Sequence, residues 1–242
     1  MSRSDQLYSK PRRYLVDFAF DQSVADVFPD MIRRSIPGYD QLIALIGLIA
    51  ARYYQPERRI YDLGCSLGAA TLSIHRGLDA AEAEFIAVDN SPPMLARCRD
   101  NLSTLMPGAQ VNFIESDIRQ LDIRRAGVVV LNFTLQFLPP EDRQSMLDLV
   151  FAGLEPGGVL ILSVKIGTGG ESTPDTLVDL HARFKAANGY SELEISQNRS
   201  ALEKEMRLDP VDVHRQRLER SGFSEIRLWF QCLNFVSLLA VK

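Results

Sequence analysis

The residues best suited to chemistry lie in Asp62-Leu-Gly-Cys-Ser-Leu-Gly68. Gly64 permits a sharp turn out of a strand, and its missing side chain lets the backbone come close to a bound molecule. Gly68 lets a following helix start tight against that strand. The G-x-x-x-G spacing behind an acid differs from the G-x-G-x-x-G of dinucleotide binding. Short glycine patterns of this kind also occur in ordinary strand–helix turns.

Further polar residues recur at the ends of the next apolar runs. Asp89 closes Glu84-Phe-Ile-Ala-Val-Asp89. An acid there suits both hydroxyls of a ribose, as in nucleotide-binding sheets, and Asn90 extends the contact. Asp89 serves equally well as a helix N-cap, although Ser91 competes for that role; the glycine turn tips the balance toward binding. In Ser116-Asp-Ile118, Asp117 suits an adenine amine with Ile118 against the ring, or is a solvated loop acid. Turn and acids together favour S-adenosylmethionine (SAM) over NAD.

Asn132 ends a fourth apolar run, where SAM enzymes present groups to the methionine and the reacting atom. An amide donates and accepts hydrogen bonds but is no general base near neutral pH. Asn132-Phe-Thr-Leu-Gln-Phe137 also lacks the N-P-P-Y of amino-methylating enzymes. His75, His181 and His214 fall on predicted helices and read as surface residues. Cys65 suits backbone contact, with no basic neighbour to make a thiolate. Tyr39 opens an apolar helix and reads as a core aromatic. Arg199, in Ser196-Gln-Asn-Arg-Ser200, is a solvated helix residue or, aimed into a cavity, a planar fork for a carboxylate.

These residues need strands and helices to position them. Strand signals cover 59–63, 84–89, 110–115, 127–132 and 158–164, with helices predicted over 69–78, 91–106 and 140–153 between them. Near-continuous apolar strands joined by helices indicate a parallel sheet covered on both faces. The stretch 173–219 reads as polar helix. Runs at 224–230 and 232–241 close as an antiparallel hairpin. The expected architecture is α/β: a Rossmann-like class I methyltransferase fold with a mostly parallel seven-stranded sheet. One domain spanning 1–242 is expected, capped by N-terminal helices (about 20–53) and a helical insert (about 170–205).

The 242 residues are 46% hydrophobic and 24% charged, as in globular proteins. The apolar stretch Gln41–Ala51 is short of the ~20 residues of a membrane span and suits a buried helix. The first residues lack a secretory core. Three cysteines are too few and scattered for a disulfide framework or a zinc site, so no metal and a cytoplasmic location are expected. A net charge of -4 without a basic stripe argues against direct nucleic-acid binding.

Several segments together carry a closer likeness: Pro37-Gly-Tyr39, Tyr61–Ala69, Val88-Asp-Asn-Ser91, Ser116-Asp-Ile118, Leu131–Leu138, Asn198-Arg-Ser200 and Leu228–Phe235. Over essentially its whole length the chain resembles the carboxy-S-adenosyl-L-methionine synthase family, which has a methyltransferase-like fold but does not methylate. The resemblance implies that SAM and prephenate become carboxy-SAM and phenylpyruvate. It implies a homodimer, and product hand-off to a tRNA carboxymethyltransferase that makes 5-oxyacetyluridine at the wobble position. By matching motif, Gly64, Cys65 and Ser66 line the methionine end, Asp89 and Asn90 hold the ribose, and Asp117 and Ile118 meet the adenine. Tyr39 and Asn132 flank the ligand, and Arg199 receives the added carboxylate as the catalytic residue. Such chemistry asks for a dry, charge-matched cavity rather than a side-chain base. The alternative reading is a SAM-dependent methyltransferase acting on tRNA or a small molecule; a SAM-binding module without activity is a third.

Overall fold

The computed structural model describes residues 4–9, 19–78, 83–167 and 176–242. Residues 1–3 and the expected start of the insert at 170–175 lie outside the described residues.

Seven strands form one sheet: β1 (Arg59–Leu63), β2 (Glu84–Asp89), β3 (Gln110–Glu115), β4 (Ala126–Asn132), β5 (Leu154–Lys165), β6 (Glu225–Cys232) and β7 (Phe235–Val241). Their order is β3-β2-β1-β4-β5-β7-β6, with β1 to β5 parallel and β7 antiparallel to both of its neighbours. The chain runs outward from β1 to β3, then returns to place β4 beside β1. That reversal is the switch point at which open α/β sheets bind ligands.

Alternation along the central strands explains the two helical layers. Ile60, Val128, Val130 and Ile161 face one way, where Leu42, Ile46, Ile74 and Leu102 pack on them. Those four belong to α2 (Tyr39–Tyr53), α3 (Ala69–Gly77) and α4 (Pro92–Leu105). Leu63, Val129, Leu131 and Leu162 face the other way, against Leu147 and Val150 of α5 (Arg143–Gly153) and Leu218 of α8 (Val211–Ser221). Completely burying each such side chain contributes about 1.5–3 kcal/mol. The remaining helices, α1 (Gln22–Ser35), α6 (Thr176–Ala187) and α7 (Glu192–Glu205), lie toward the carboxyl ends of the strands and contribute walls to the cavity there.

Local chemistry fixes the helix starts. Ser91 Oγ accepts the Met94 amide at 3.3 Å, with Pro92 and Pro93 in the first turn of α4. Asp21 caps α1 through the Val24 amide at 3.0 Å. Ser191 and Glu194 form a capping box at α7.

Three boundaries differ from the sequence reading. Residues Pro140–Asp142 form a separate 3₁₀ turn before α5. Glu155-Pro-Gly-Gly158, at the junction of the predicted helix over 140–153 and the predicted strand over 158–164, lies within β5 as a bulge: Ala126 pairs with Leu154 and Val128 next with Val159. The hairpin turns at Leu233-Asn234, so Cys232 ends β6 instead of opening the last strand. The apolar helix α2 is also buried on only one side, since Leu45 and Leu48 are exposed. Among the described residues no helix is long and apolar enough to cross a membrane.

Candidate active site

A cavity of about 670 Å³ opens at the carboxyl ends of the strands, beside the switch point. The turn after β1 forms its floor. Gly64 has φ +81°, and a Cβ there would lie 2.4 Å from Thr134 Oγ1, so glycine is required on both conformational and steric grounds. Ser66 also adopts a left-handed conformation, as does Phe133 directly after Asn132, with φ values of 48° and 61°. Left-handed non-glycine residues cluster at ligand sites, where surrounding structure holds them against their intrinsic cost. Asp62 braces the turn from behind: its carboxylate accepts Thr71 Oγ1 at 2.7 Å and the Thr71 amide at 3.2 Å. Burial nevertheless raises its pKa to about 6, with the nearby Asp89 charge adding to the rise.

Asp89 ends β2 and is buried, with one oxygen accepting the Ser66 amide and the other the Ser91 amide, each at 2.9 Å. Burial lifts its pKa while these amide hydrogen bonds oppose the rise. A carboxylate has about four lone-pair sites, so roughly two remain for a ligand. Asn90 next to it is exposed. Asp117 is committed in part to Arg119, whose amide and Nε it accepts at 2.9 and 3.0 Å; that guanidinium holds its carboxyl below the usual range. Ile118 is buried beside it. Asn132 Oδ1, at the end of β4, is buried without a hydrogen-bond partner. Tyr39 is buried at the start of α2, its hydroxyl held protonated by burial and by the Asp62 charge. Cys65 is buried as well; hydrogen bonding to Cys98 and burial raise its thiol pKa, the opposite of an activated nucleophile. Arg199, on α7, is exposed at the cavity's edge.

All ten residues assigned to the ligand from the sequence therefore line one cavity, whereas Gly68 of the glycine turn is not part of its lining. The histidines correct an expectation, because none is a free surface residue. His214 is 1% exposed within α8, and burial lowers its pKa to about 4. His181 is half-buried, contacts the Ser35 carbonyl oxygen through Nε2 at 2.7 Å and lines the cavity. His75 is half-buried with its ring 6.1 Å from that of Phe85. The cavity also holds Lys165, Lys185 and Asn234, which sequence reasoning missed. Only the position of Lys165 directly after an apolar strand pointed toward a strand-end site.

The parallel sheet, switch-point cavity and terminal hairpin define the class I methyltransferase-type fold of SAM-dependent enzymes. A methyltransferase domain model matches residues 60–158. An O-methyltransferase family protein from Burkholderia thailandensis shares this fold with a TM-score of 0.67 at 17% identity, covering 95% of this chain and 65% of that one. Magnesium protoporphyrin IX methyltransferase from Synechocystis PCC 6803, solved with bound SAH, gives 0.62 at 16% identity, covering 88% and 87%. Much nearer in sequence is a carboxy-S-adenosyl-L-methionine synthase from Photobacterium profundum, 54% identical over 100% of this chain and 99% of that protein. Its counterpart from Vibrio atlanticus is 52% identical over the full length of both. The chain belongs to the carboxy-S-adenosyl-L-methionine synthase family of SAM-dependent transferases.

Proposed function

We propose that the protein converts SAM and prephenate to carboxy-SAM and phenylpyruvate, supplying the carboxymethyl donor for 5-oxyacetyluridine at the tRNA wobble position. The observation that carries this reading is that Asp89, suited to a ribose, and Arg199, suited to a carboxylate, line one cavity. SAM enters as co-substrate. Asp89 and Asn90 take its ribose, Asp117 and Ile118 its adenine, and the Gly64-Cys65-Ser66 turn its methionine end. Asp117 reaches the adenine amine with the lone pairs that Arg119 leaves free. Tyr39 and Asn132 flank the sulfonium, and the orphaned Asn132 Oδ1 suits a partially positive neighbour.

Prephenate loses carbon dioxide and hydroxide as it becomes phenylpyruvate. The hydroxide takes a proton from the acidified S-methyl group and leaves as water. The resulting carbanion adds to the carbon dioxide, giving a carboxymethyl sulfonium whose new charge Arg199 offsets. Atoms and charge balance without a side-chain base, in keeping with a buried, protonated Tyr39 and an unactivated Cys65. The cavity's apolar lining, Phe133 and Phe137 among it, limits the water that would otherwise capture the intermediate.

The same reading takes residues 1–242 as one SAM-binding domain in a cytoplasmic protein that does not itself hold tRNA. It includes a homodimer, consistent with Leu45 and Leu48 exposed on α2. Incubation with SAM and prephenate, followed by mass spectrometry of the released nucleoside, tests the activity. A species heavier by one carboxyl group is expected. Unconsumed prephenate with only SAM or its demethylated form would overturn it in favour of methyl transfer.

A further inference from the structure

The sheet order places β5 and β7 across β4 from the strands that carry the nucleoside-binding residues. The cavity wall there has its own chemistry. Lys165 ends β5, and Asn234 immediately precedes β7. The Asn234 carbonyl accepts the Ile166 amide at 2.8 Å, which binds the two strand ends together. Phe235 forms a hub beside them: the Lys165 ammonium lies 5.7 Å from its ring centre and the His181 ring 5.0 Å. Lys185 comes down from α6, is 6% exposed, and donates to Asn198 Oδ1 at 2.5 Å.

Two features of this wall suit it to an anion. Asn234 is 1% exposed, yet neither its Oδ1 nor its Nδ2 has a hydrogen-bond partner. Leaving a buried polar group unmet is costly, so an amide kept in this position implies that a bound molecule completes it. Its Nδ2 offers two donors to a carboxylate, and its Oδ1 can accept from a hydroxyl. Lys185, for its part, is buried against a neutral amide and near the like charge of Lys165. Its pKa falls to about 8 through burial first and Lys165 second, with Asp5 opposing the fall. A carboxylate seated between the two ammonium groups would offset both effects.

We propose that Lys165, Lys185 and Asn234 form a subsite for a carboxylate of the second substrate, distinct from the nucleoside wall and from Arg199. The inference rests on the reaction proposed above in that the second substrate is prephenate, which bears two carboxylates and a hydroxyl. His181 and Phe235 shape this subsite without charging it, since burial keeps the imidazole neutral with a pKa of about 4.

Calorimetric titration of prephenate into the protein saturated with S-adenosylhomocysteine tests the subsite apart from turnover. Binding to the unaltered protein is expected. Lys185→Met and Asn234→Ala should each weaken it about ten-fold or more, while S-adenosylhomocysteine affinity stays within about three-fold. Lys185→Arg should retain most of the affinity, and Lys165→Met gives an independent variant if removing Lys185 impairs folding. Absence of prephenate binding, or unchanged binding in the variants, would overturn the inference. A parallel loss of S-adenosylhomocysteine affinity would overturn it too, by assigning these groups to the methionine carboxylate. Prephenate binding of the expected pattern without any carboxylated product would support the subsite while refuting the reaction.

Discussion

The Asp89 carboxylate accepts the backbone amide of Ser66 at 2.9 Å, so the acid at the end of β2 holds the turn at the end of β1 in its left-handed conformation. One side chain thus has two tasks, fixing the floor of the cavity and offering its remaining lone pairs to a ribose. Ser91 completes the arrangement by donating its amide to the other oxygen. Taking on the capping of α4 through its own hydroxyl, it frees Asp89 from that role.

Asp89→Ala should therefore weaken binding of S-adenosylhomocysteine by about 1.5–3 kcal/mol, roughly ten-fold to 150-fold, because two charge-assisted hydrogen bonds are lost. Calorimetric titration reads this, and far-ultraviolet circular dichroism checks that the fold persists. An affinity within a factor of about two would remove Asp89 from the ribose.

Arg199→Ala should lower the preference for carboxy-SAM over SAM by about ten-fold, or ~1.4 kcal/mol. The effect is kept modest because Arg199 is exposed in the chain and water screens it. Competition binding of the two nucleosides measures the ratio, and an unchanged preference would count against a role for Arg199.

Gly64→Ala places a methyl group 2.4 Å from Thr134 Oγ1 at a φ of +81°. Overpacking combined with the strained backbone should cost about 1–3 kcal/mol or more, a loss of roughly 2–12 °C in Tm for a chain of this size. Adding Thr134→Ala should recover part of that loss, since the hydroxyl contact goes while the backbone strain stays. No recovery would mean that the backbone alone carries the cost.

His214 binds a proton less readily in the folded chain, where its pKa is about 4, than in the unfolded chain, where it is near 6.5. The unfolded state therefore takes up the extra proton as pH falls from 6.5 toward 4, and stability drops across that window. The contribution at pH 5 is about 2 kcal/mol. Asp62 acts oppositely between about 4 and 6, because its raised pKa favours the folded state as acid is added. The test is accordingly a difference: denaturant titrations at pH 7 and pH 5 should show a smaller acid loss for His214→Asn than for the unaltered protein. Equal losses would contradict a buried neutral imidazole.

The middle of the sheet was legible because its central strands are buried on both faces and read as unbroken apolar runs, such as Gly127–Leu131. The Gly64 turn and Asp89 were legible because a strand end leaves a characteristic residue behind. Lys185 and His181 were not, since a polar helix gives no sign of which residue it turns inward; that depends on how α6 packs over the sheet. His214 was hidden likewise, in a helix rich in charged residues. Asn234 was missed for a local reason. Its turn begins with Leu233 at φ 52°, a residue type that does not announce a left-handed position. The run Cys232–Val241 therefore read as a single strand.

The placement of β7 between β5 and β6 has a consequence for how the protein is made. Ribosomal synthesis delivers β7 after all the other strands, yet it belongs inside the sheet. Until it emerges, β5 presents an open edge, and Asn234 and Phe235 have not joined the cavity wall. The nucleoside half can thus assemble during translation, while the opposite half awaits β7. Nascent chains halted before β7 should display an unpaired strand and recruit chaperones, a hazard that ends when the hairpin docks.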